Sequence, residues 1–422
     1  MTAKDRIVVV VGQGYVGLPV AIRAVEVGYT VVGVDVDAPR IQSLREGISY
    51  VDDISNEQLR AALDSGRYRP TTDYDDTADF GVAVITVPTP LRESLPDLSF
   101  MEDAARSLAA RLTPAATVVL ESTTYPGTTE ELLVPLLETG SGLIAGVDFY
   151  AGYSPERIDP GNKVWGFVET PKIVSGINKE SLASVKGFYD DLVNTTVPVS
   201  SPKEAELTKL LENTFRHVNI ALVNELAIFA HQLGVNVWES IDAASTKPFG
   251  YMRFTPGPGV GGHCLPVDPS YLSWQVRRKL GQNFRFVELA NDINDHMPEY
   301  VIQRLMTMLN TKSKALNGCR VFVAGLAYKT NTGDIREAPS VRLIELLLEY
   351  GAIVLAADGH VESNRWPKGV ERVDFTVESL TRADVAVLIT DHDDLDLDIL
   401  NSCSTPILDT KNRLSGEHVE RL

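Results

Sequence analysis

The chain carries a cysteine on a loop rich in small residues, GPGVGGHCLPVD, which runs from Gly257 to Asp268. A thiolate is a strong nucleophile, whereas the commonest fate of a free cysteine is that of a small buried apolar side chain. Glycine and proline interrupt this loop so often that a core position fits poorly. We therefore predict that Cys264 is presented on this loop as a reactive thiol and that Cys319 and Cys403, which adjoin strand-like runs, are buried.

Other polar residues have a spacing suited to ligand contact. Lys209 and Asn213 are four residues apart in a helical segment and so project from one face, although a solvated helix surface would show the same pair. Glu156 lies on a loop, YSPERIDPGN, whose proline and glycine residues favour a presented side chain. Lys329 and Arg336 are either surface charges or the local cations that a diphosphate needs on a chain of net charge -18.

A dinucleotide site is predicted near the N-terminus. Gly12, Gly14 and Gly17 have G-x-G-x-x-G spacing between a strand, IVVVV, and a helical segment, where a pyrophosphate binds. Asp35 ends the next strand, accepts hydrogen bonds from a ribose and repels a 2′-phosphate, so NAD is favoured over NADP. Thr89 and Thr123 follow later strands at their carboxyl ends. The alternative is a domain whose glycines serve packing alone.

The elements that position these residues alternate as short β-branched runs and helical segments, which predicts α/β architecture. One helix, from about residue 202 to Gly234, is too long and too apolar for a single small domain, and we expect it to form a homodimer interface. After Gly318 the β/α alternation resumes. The fold class is thus α/β, with two Rossmann-like doubly wound domains joined by a long central helix and a small helical domain.

The composition excludes several classes of protein. The chain has 39 Lys+Arg against 57 Asp+Glu and no basic cluster, which argues against nucleic-acid or anionic-membrane partners. It has neither a signal-peptide pattern nor an apolar run of about 18 residues, so we expect a cytoplasmic protein. Its three cysteines are too scattered for a disulfide framework or a zinc cluster, and no metal site is predicted.

Six further motifs follow one another along the chain, namely GQGYVGLP, ESTTYPGTT, YSPERIDPGN, AELTKLLENTFR, PGPGVGGHCLPVDP and YKTNTGDIREAPS. In this order they resemble those of the nucleotide-sugar 6-dehydrogenases, the family of UDP-glucose, GDP-mannose and UDP-N-acetylhexosamine dehydrogenases. The resemblance covers essentially the whole chain. It implies an NAD-binding domain over residues 1–201, a central helical domain for dimerisation and catalysis over 202–310, and a UDP-sugar-binding α/β domain over 311–422.

The resemblance also implies a set of functional residues. Cys264 would be the covalent nucleophile, Lys209 and Asn213 its helical partners, and Thr123, Glu156 and Asp268 the residues that handle water and protons. The predicted cofactor contacts are Gly12, Gly14, Tyr15, Val16, Gly17, Asp35, Arg40, Thr89, Thr123 and Arg336. The predicted substrate contacts are Glu156, Arg157, Lys209, Asn213, Arg216, Phe254, Gly261 and Lys329.

The expected reaction is a four-electron oxidation of a sugar C6 hydroxyl to a carboxylate, with a cysteine thiohemiacetal and thioester between the two hydride transfers. The loop PGPGVGGHC is more similar to the UDP-N-acetylhexosamine branch than to UDP-glucose enzymes, which favours UDP-N-acetylglucosamine or its manno epimer. The alternatives are a UDP-glucose 6-dehydrogenase, a one-hydride β-hydroxyacid-type dehydrogenase and a non-catalytic NAD-binding protein. The last two would not need the lysine, the asparagine and the thiol together.

Overall fold

The structure is a computed structural model that describes residues 6–51, 53–92, 95–158, 164–262, 265 and 267–422. The described chain forms two compact units, Met1–Glu212 with Arg278–Leu280 and Asn213–Arg277 with Gly281–Leu422. Cys264 lies outside the described residues, as do His263 and Pro266.

The first unit is built on a fully parallel six-stranded sheet of order β3-β2-β1-β4-β7-β8. Its strands are β1 (Ile7–Val11), β2 (Thr30–Val34), β3 (Tyr68–Thr71), β4 (Val82–Ile85), β7 (Thr117–Leu120) and β8 (Tyr150–Tyr153). Two further pairs are β5 (Leu91–Arg92) with β6 (Leu95–Pro96), which is antiparallel, and β9 (Lys172–Val174) with β10 (Thr196–Pro198), which is parallel.

Helices cover both faces of this sheet. They are α1 (Gly17–Glu26), α2 (Ala38–Arg45), α3 (Asn56–Asp64), α4 (Ser99–Ala109), α5 (Val134–Ser141) and α6 (Lys179–Leu192), with a 3-10 helix at Tyr74–Thr77 and a π-helical turn at Thr129–Leu133. Val8 and Val10 of β1 belong to the core cluster that includes Leu18 and Ile22 of α1, whereas Val9 is buried on the opposite face. A strand buried on both faces explains why β1 reads as a continuous apolar run.

Helix α7 (Pro202–Gln232) is 31 residues long. Proline occupies its first position, where the missing N–H costs nothing, and no glycine or proline follows inside it. The helix stops before Gly234, whose φ of 69° is a left-handed conformation that glycine adopts without strain. The division between the two units falls within this helix, between Glu212 and Asn213.

The second unit contains α8 (Val237–Ser245), most of α9 (Asp268–Leu280), α10 (Arg285–Asp295), α11 (Met297–Thr311), α12 (Pro339–Glu349), α13 (Val377–Thr381) and α14 (Leu397–Ser402), with a 3-10 helix at Ser363–Arg365. Its sheet has the order β13-β12-β11-β14-β15-β16 and is also parallel throughout. The strands are β11 (Arg320–Ala324), β12 (Ile353–Ala357), β13 (Glu371–Arg372), β14 (Val385–Leu388), β15 (Ile407–Asp409) and β16 (Val419–Arg421). Both sheets therefore share one strand topology, and the predicted α/β class with two doubly wound sheets is confirmed.

Candidate active site

The turn after β1 has the geometry of a dinucleotide-binding turn. Gly12 has a φ of 91°, and a Cβ there would lie 2.7 Å from the carbonyl oxygen of Thr86. A Cβ on Gly17 would lie 1.8 Å from the carbonyl oxygen of Gly12. A Cβ on Gly14 would meet no described heavy atom within 4 Å. Contacts within the protein thus require glycine at positions 12 and 17. The open space at Gly14 instead suits a pyrophosphate at the N-terminus of α1.

Two more of the predicted cofactor contacts lie in this turn, between Gly14 and Gly17. Tyr15 packs partly buried against the core cluster under α1. Val16 is the N-cap residue of α1, and its side chain makes no capping hydrogen bond to the helix. The N-terminus of α1 therefore has no side-chain cap from this residue, and its positive end favours an anion, although the backbone N–H of Leu18 already donates to the carbonyl oxygen of Gly14 at 3.1 Å.

Asp35 follows β2 and braces the turn. Its Oδ2 accepts from the backbone N–H of Gln13 at 2.8 Å and its Oδ1 from that of Asp37 at 2.9 Å. An ionised carboxylate has about four acceptor positions, so about two are left for the hydroxyls of a ribose. Arg40 lies beside it, with Nη1 3.9 Å from Asp35 Oδ2 and its guanidinium 5.7 Å from the centre of the Tyr50 ring. These residues fit the adenosine half of NAD.

Thr89 and Thr123 come from loops after neighbouring strands and meet at the carboxyl edge of the sheet. The hydroxyl of Thr89 donates to the carbonyl oxygen of Thr123 at 2.7 Å. The hydroxyl of Ser122 donates to the carbonyl oxygen of Val87 at 2.7 Å, which ties the same two loops together a second time. The structure thus brings the two predicted threonines together at the edge where open α/β sheets bind ligands.

Glu156, on the loop after β8, makes contacts with both its side chain and its main chain. Its Oε1 accepts from the backbone N–H groups of Arg157 at 2.5 Å and Ile158 at 2.6 Å, and its Oε2 lies 3.1 Å from the Nζ of Lys172. Its main-chain carbonyl accepts from the Nζ of Lys209 at 2.6 Å. Burial opposes its ionisation, but Lys172 and the backbone donors outweigh burial and lower the pKa of Glu156.

Lys172 and Glu121 are site residues that the sequence analysis missed. The Nζ of Lys172 lies 3.2 Å from Oε1 of Glu121, which also accepts from the hydroxyl of Tyr189. Burial raises the pKa of Glu121 despite the nearby ammonium. The one signal in the sequence is that each charged residue adjoins a strand of apolar residues, TVVL before Glu121 and IV after Lys172.

Arg157 points at α7 in the first unit. Its Nη2 donates to Oε1 of Glu212 at 2.6 Å, its Nε to the other carboxylate oxygen at 3.3 Å, and its Nη1 to the carbonyl oxygen of Pro171 at 2.6 Å. A forked pair of this kind fixes the guanidinium in one plane. In this conformation Arg157 ties the loop of Glu156 to the helix that carries Lys209.

In the second unit Asn213 contacts another predicted residue. Its amide nitrogen donates to Oδ2 of Asp268, a buried residue in the first turn of α9. Arg216, one turn further along α7, is exposed. The ring of Phe254 packs edge-on against that of Phe215, with 5.8 Å between centroids. Asn213 and Asp268 are therefore brought together, and Phe254 lies against α7.

The glycines before Cys264 lie against the second α/β fold. A Cβ on Gly261 would lie 2.8 Å from the carbonyl oxygen of Glu337 and from Cβ of Tyr328. Gly262 has a φ of 90°, and a Cβ there would lie 2.9 Å from the Tyr328 ring. Its backbone N–H donates to the carbonyl oxygen of Arg336 at 3.2 Å. Packing within the second unit therefore requires glycine at positions 261 and 262, and the sequence alone did not indicate this.

The segment that carries Lys329 and Arg336 is held from several sides. The guanidinium of Arg336 pairs with both carboxylate oxygens of Asp334, at 2.9 Å from Nε and 2.7 Å from Nη2. The backbone N–H of Asn331 donates to Nδ1 of His392 at 2.9 Å. Because Nδ1 accepts, the proton of the neutral ring lies on Nε2, which donates to Oδ2 of Asp358 at 3.1 Å.

The turn after β11 repeats the turn after β1. Gly325 has a φ of 81°, and a Cβ there would lie 2.4 Å from the carbonyl oxygen of Thr390. Asp358 follows β12 as Asp35 follows β2, and its Oδ2 accepts from the backbone N–H of Leu326 at 2.6 Å. Five donors surround this carboxylate, namely the backbone N–H groups of Leu326, Ala327, His360 and Val361 and the ring of His392. Burial opposes its ionisation, but these donors lower the pKa of Asp358.

In the part of the chain that the structure describes, no group of three or more His, Cys, Asp or Glu side chains is arranged to hold a metal ion. No helix among the described residues is long and apolar enough to cross a membrane.

Three family models match successive parts of the chain. They describe the NAD binding domain of the UDP-glucose/GDP-mannose dehydrogenase family over residues 6–193, its central domain over 203–296 and its UDP binding domain over 322–415. Together these ranges contain all the site residues named above, and Cys264 itself falls within the central match.

Named relatives are similar over most of their length. The chain is 36% identical over 386 residues to a UDP-N-acetyl-D-mannosamine dehydrogenase of Pyrococcus horikoshii, covering 91% of this chain and 89% of the relative. It is 39% identical over 364 residues to a UDP-N-acetyl-D-glucosamine 6-dehydrogenase of Pseudomonas aeruginosa, covering 85% and 84%. A solved structure of the Pyrococcus horikoshii UDP-D-ManNAc dehydrogenase superposes with a TM-score of 0.88 at 34% identity and covers 98% of both chains.

Proposed function

Because this chain belongs to the UDP-glucose/GDP-mannose dehydrogenase family and uses NAD, we propose that it oxidises the C6 hydroxyl of a UDP-N-acetylhexosamine to the carboxylate. The observation that carries the proposal is the support given to two polar residues one helical turn apart on α7. Lys209 donates to the main chain of Glu156, and Asn213 donates to Asp268. An ammonium and an amide fixed in this way suit an oxygen that gains negative charge.

The reaction removes four electrons from the C6 carbon and consumes one water. When bound, NAD accepts one hydride from this carbon in each of two oxidations. After the first, the thiolate of Cys264 adds to the aldehyde carbon and forms a C–S bond as a thiohemiacetal. Loss of the second hydride leaves a thioester, and water then breaks the C–S bond to release the acid and the thiol.

Lys209 and Asn213 stabilise the oxyanion in each of these steps. Asp268 fixes the Asn213 amide. A cation beside Cys264 would favour its thiolate form. Asp268 and Thr123 are the candidates for holding the hydrolytic water. Three of about four acceptor positions of the Glu156 carboxylate are filled by Arg157, Ile158 and Lys172, so Glu156 keeps one for the water, and its carbonyl group also holds Lys209.

The substrate assignment rests on the loop before Cys264 and on the relatives. The loop PGPGVGGHC is similar to that of the N-acetylhexosamine branch, and relatives with that activity in their names match most of the chain. The UDP part belongs with the C-terminal match, where Lys329 is the candidate cation for the diphosphate and the guanidinium of Arg336 is already paired with Asp334. UDP-N-acetylglucosamine is the favoured epimer and UDP-N-acetylmannosamine the second candidate.

A sugar panel tests the assignment. The purified protein is assayed for NADH release with UDP-N-acetylglucosamine, UDP-N-acetylmannosamine, UDP-N-acetylgalactosamine and UDP-glucose. We expect the highest kcat/KM with one of the first two and two NADH formed per sugar consumed. A preference for UDP-glucose would refute the substrate class, and a ratio of one NADH per sugar would identify a one-hydride enzyme.

Substitution of Cys264 tests the mechanism. We expect Cys264→Ala to lose nearly all conversion to the acid, while slow formation of an aldehyde, detected with a carbonyl trap, persists. Cys264→Ser is expected to accumulate an ester, visible as a mass increase of the intact protein, because an oxygen ester hydrolyses more slowly than a thioester. Cys403→Ala is the matched control, since Cys403 is buried beside β15 in the second unit. Acid production by Cys264→Ala at the wild-type rate would rule out the covalent route.

We also propose that the chain forms a homodimer through α7. Three large apolar side chains in its second half and one just after its end recur every three or four residues and are about half exposed or more, namely Leu222 (52%), Leu226 (47%), Phe229 (51%) and Leu233 (77%). Leu207 and Leu211 near its start are exposed as well. A stripe on one long helix can pair with itself across a two-fold axis, which buries it on both chains at once.

Light scattering tests the dimer. The wild-type protein is expected at twice the chain mass at micromolar concentration, and the double substitution Leu226→Glu/Phe229→Glu is expected at the mass of one chain. Leu280→Glu is the control because Leu280 is also exposed (65%) but lies at the end of α9. A dimer that survives the double substitution would place the interface elsewhere.

A further inference from the structure

A buried ion cluster lies next to the loop of Glu156 in the first unit. It consists of the ammonium of Lys172 between the carboxylates of Glu121, at 3.2 Å, and Glu156, at 3.1 Å. The side chain of Lys172 is only 4% exposed, and its ammonium lies 5.3 Å from the centre of the Tyr189 ring and 5.5 Å from that of Phe167. We propose that Lys172 is a positioning residue that fixes Glu156 and, through its main chain, the ammonium of Lys209.

Stability alone is a poor reason for such a cluster. Lysine is almost never fully buried unless it is paired, because desolvation of the charge is costly. Replacement of a buried ion pair by apolar residues of similar volume is often neutral or stabilising. The cluster of Lys172 with Glu121 and Glu156 is therefore better explained by the geometry that it imposes than by the energy that it adds.

A short chain of contacts transmits that geometry. The ammonium of Lys172 holds Oε2 of Glu156, while Oε1 of the same carboxylate receives the backbone N–H groups of Arg157 and Ile158. These two hydrogen bonds fold the main chain of the loop around the Glu156 carboxylate and so set the direction of the Glu156 carbonyl. That carbonyl accepts the hydrogen bond from Nζ of Lys209. Loss of Lys172 would leave Oε2 of the Glu156 carboxylate without its cation and make the position of the Glu156 carbonyl less fixed.

Glu121 keeps the central lysine charged. Burial alone would lower the pKa of Lys172, but the two carboxylates together raise it. Glu121 directly follows β7 and is buried. Its second oxygen, Oε2, has no hydrogen-bond partner among the described residues. Glu121 therefore acts as the second counter-charge to Lys172. The described hydrogen bonds include none between Glu121 and Lys209.

The proposal rests on the proposed function only in counting Lys209 as a site residue. The first variant is Lys172→Met, which keeps length and removes charge. Because this change leaves two buried carboxylates, the double variant Lys172→Met/Glu121→Gln removes one charge of each sign and guards against misfolding. The matched control is Lys186→Met on α6, a lysine paired with Asp190 at the surface.

Two readouts decide the question. With the preferred UDP-sugar, we expect kcat of the double variant to fall about 100-fold, the effect of a misplaced group in an active site, with KM for NAD unchanged. In acetylation of all lysines followed by mass spectrometry, we expect Lys209 to react about tenfold faster in both variants than in wild type, because it has lost a fixed hydrogen-bond acceptor. The Lys186→Met control should match wild type in both.

The outcomes separate the two ideas. A folded double variant with wild-type kcat and unchanged Lys209 acetylation would show that Lys172 is structural and would overturn the proposal. A wild-type protein that oxidises none of the UDP-sugars would refute the proposed function. In that case the acetylation rate of Lys209 still decides whether Lys172 positions it.

Discussion

Replacement of Asp35 by asparagine separates the two jobs that the structure gives to this carboxylate. The first is to face the ribose of the cofactor. At about 5 Å, a carboxylate and a 2′-phosphate of charge about -2 repel each other by about 2 kcal/mol in water and about 6 kcal/mol at an effective dielectric constant of about 20. Arg40, 3.9 Å from Asp35, offsets part of this. Taking the lower figure, we expect the preference for NAD over NADP in kcat/KM to fall about 30-fold.

The second job is to brace the glycine turn. Asparagine has one side-chain oxygen, so only one of the two backbone N–H groups, of Gln13 or Asp37, keeps its acceptor. A donor left without a partner costs about 1 to 3 kcal/mol. For a unit of this size that corresponds to a fall of about 2 to 12 °C in the melting temperature.

The assays are steady-state kinetics with each cofactor and thermal unfolding without cofactor. The control is Asp37→Asn, which also removes a negative charge near Arg40 but lies at the exposed start of α2. We expect it to change the NAD preference much less than Asp35→Asn. If Asp35→Asn lowers the melting temperature but leaves the NAD preference intact, Asp35 serves only the turn. If neither quantity changes, Asp35 neither braces the turn nor faces the ribose.

Two further predictions concern packing and buried charge. Gly261→Ala places a Cβ 2.8 Å from a backbone oxygen and should lower both the melting temperature and kcat, whereas Gly257→Ala, whose nearest contact is 4.0 Å away, should change neither. Burial raises the pKa of Glu206 to about 7 although Thr129 and Gly127 donate to it. Since this pKa lies above the unfolded value, the stability it gives is complete below about pH 4.5 and is lost through pH 7, by about 3 kcal/mol in all. The melting temperature of Glu206→Gln minus that of wild type should therefore rise between pH 5.5 and pH 8; a difference that stays constant or falls would contradict the raised pKa.

Local patterns account for what the sequence predicted. The turn at Gly12 depends on residues within one strand–helix unit, and α7 depends on the lack of glycine and proline between Pro202 and Gln232. The placement of Lys209 and Asn213 on one face follows from helical periodicity alone. Such features need no knowledge of distant contacts, so composition and spacing were sufficient.

Contacts between distant segments account for what it did not predict. Lys172 and Glu121 are 16 and 35 residues from Glu156, and nothing in their local sequence indicates that they meet it. Tyr328 fills the space beside Gly261 and Gly262, and the spacing of glycines in their loop does not indicate this contact. Tertiary packing of this kind has no period and no fixed spacing, so it appears only in the folded chain.

The repeated turn after β11 limits how a second cofactor site could be engineered into this fold. Asp35 uses two of about four acceptor positions, whereas the carboxylate of Asp358 already receives five donors. Replacing His392 would remove one donor and leave four backbone N–H groups that no substitution deletes. The two turns are similar in backbone form, yet Asp35 keeps acceptor positions for the hydroxyls of a ligand, whereas those of Asp358 are filled by donors of the protein itself. A designer who wanted a second dinucleotide there would have to rebuild the loop of Ala327 and Val361, not change a side chain.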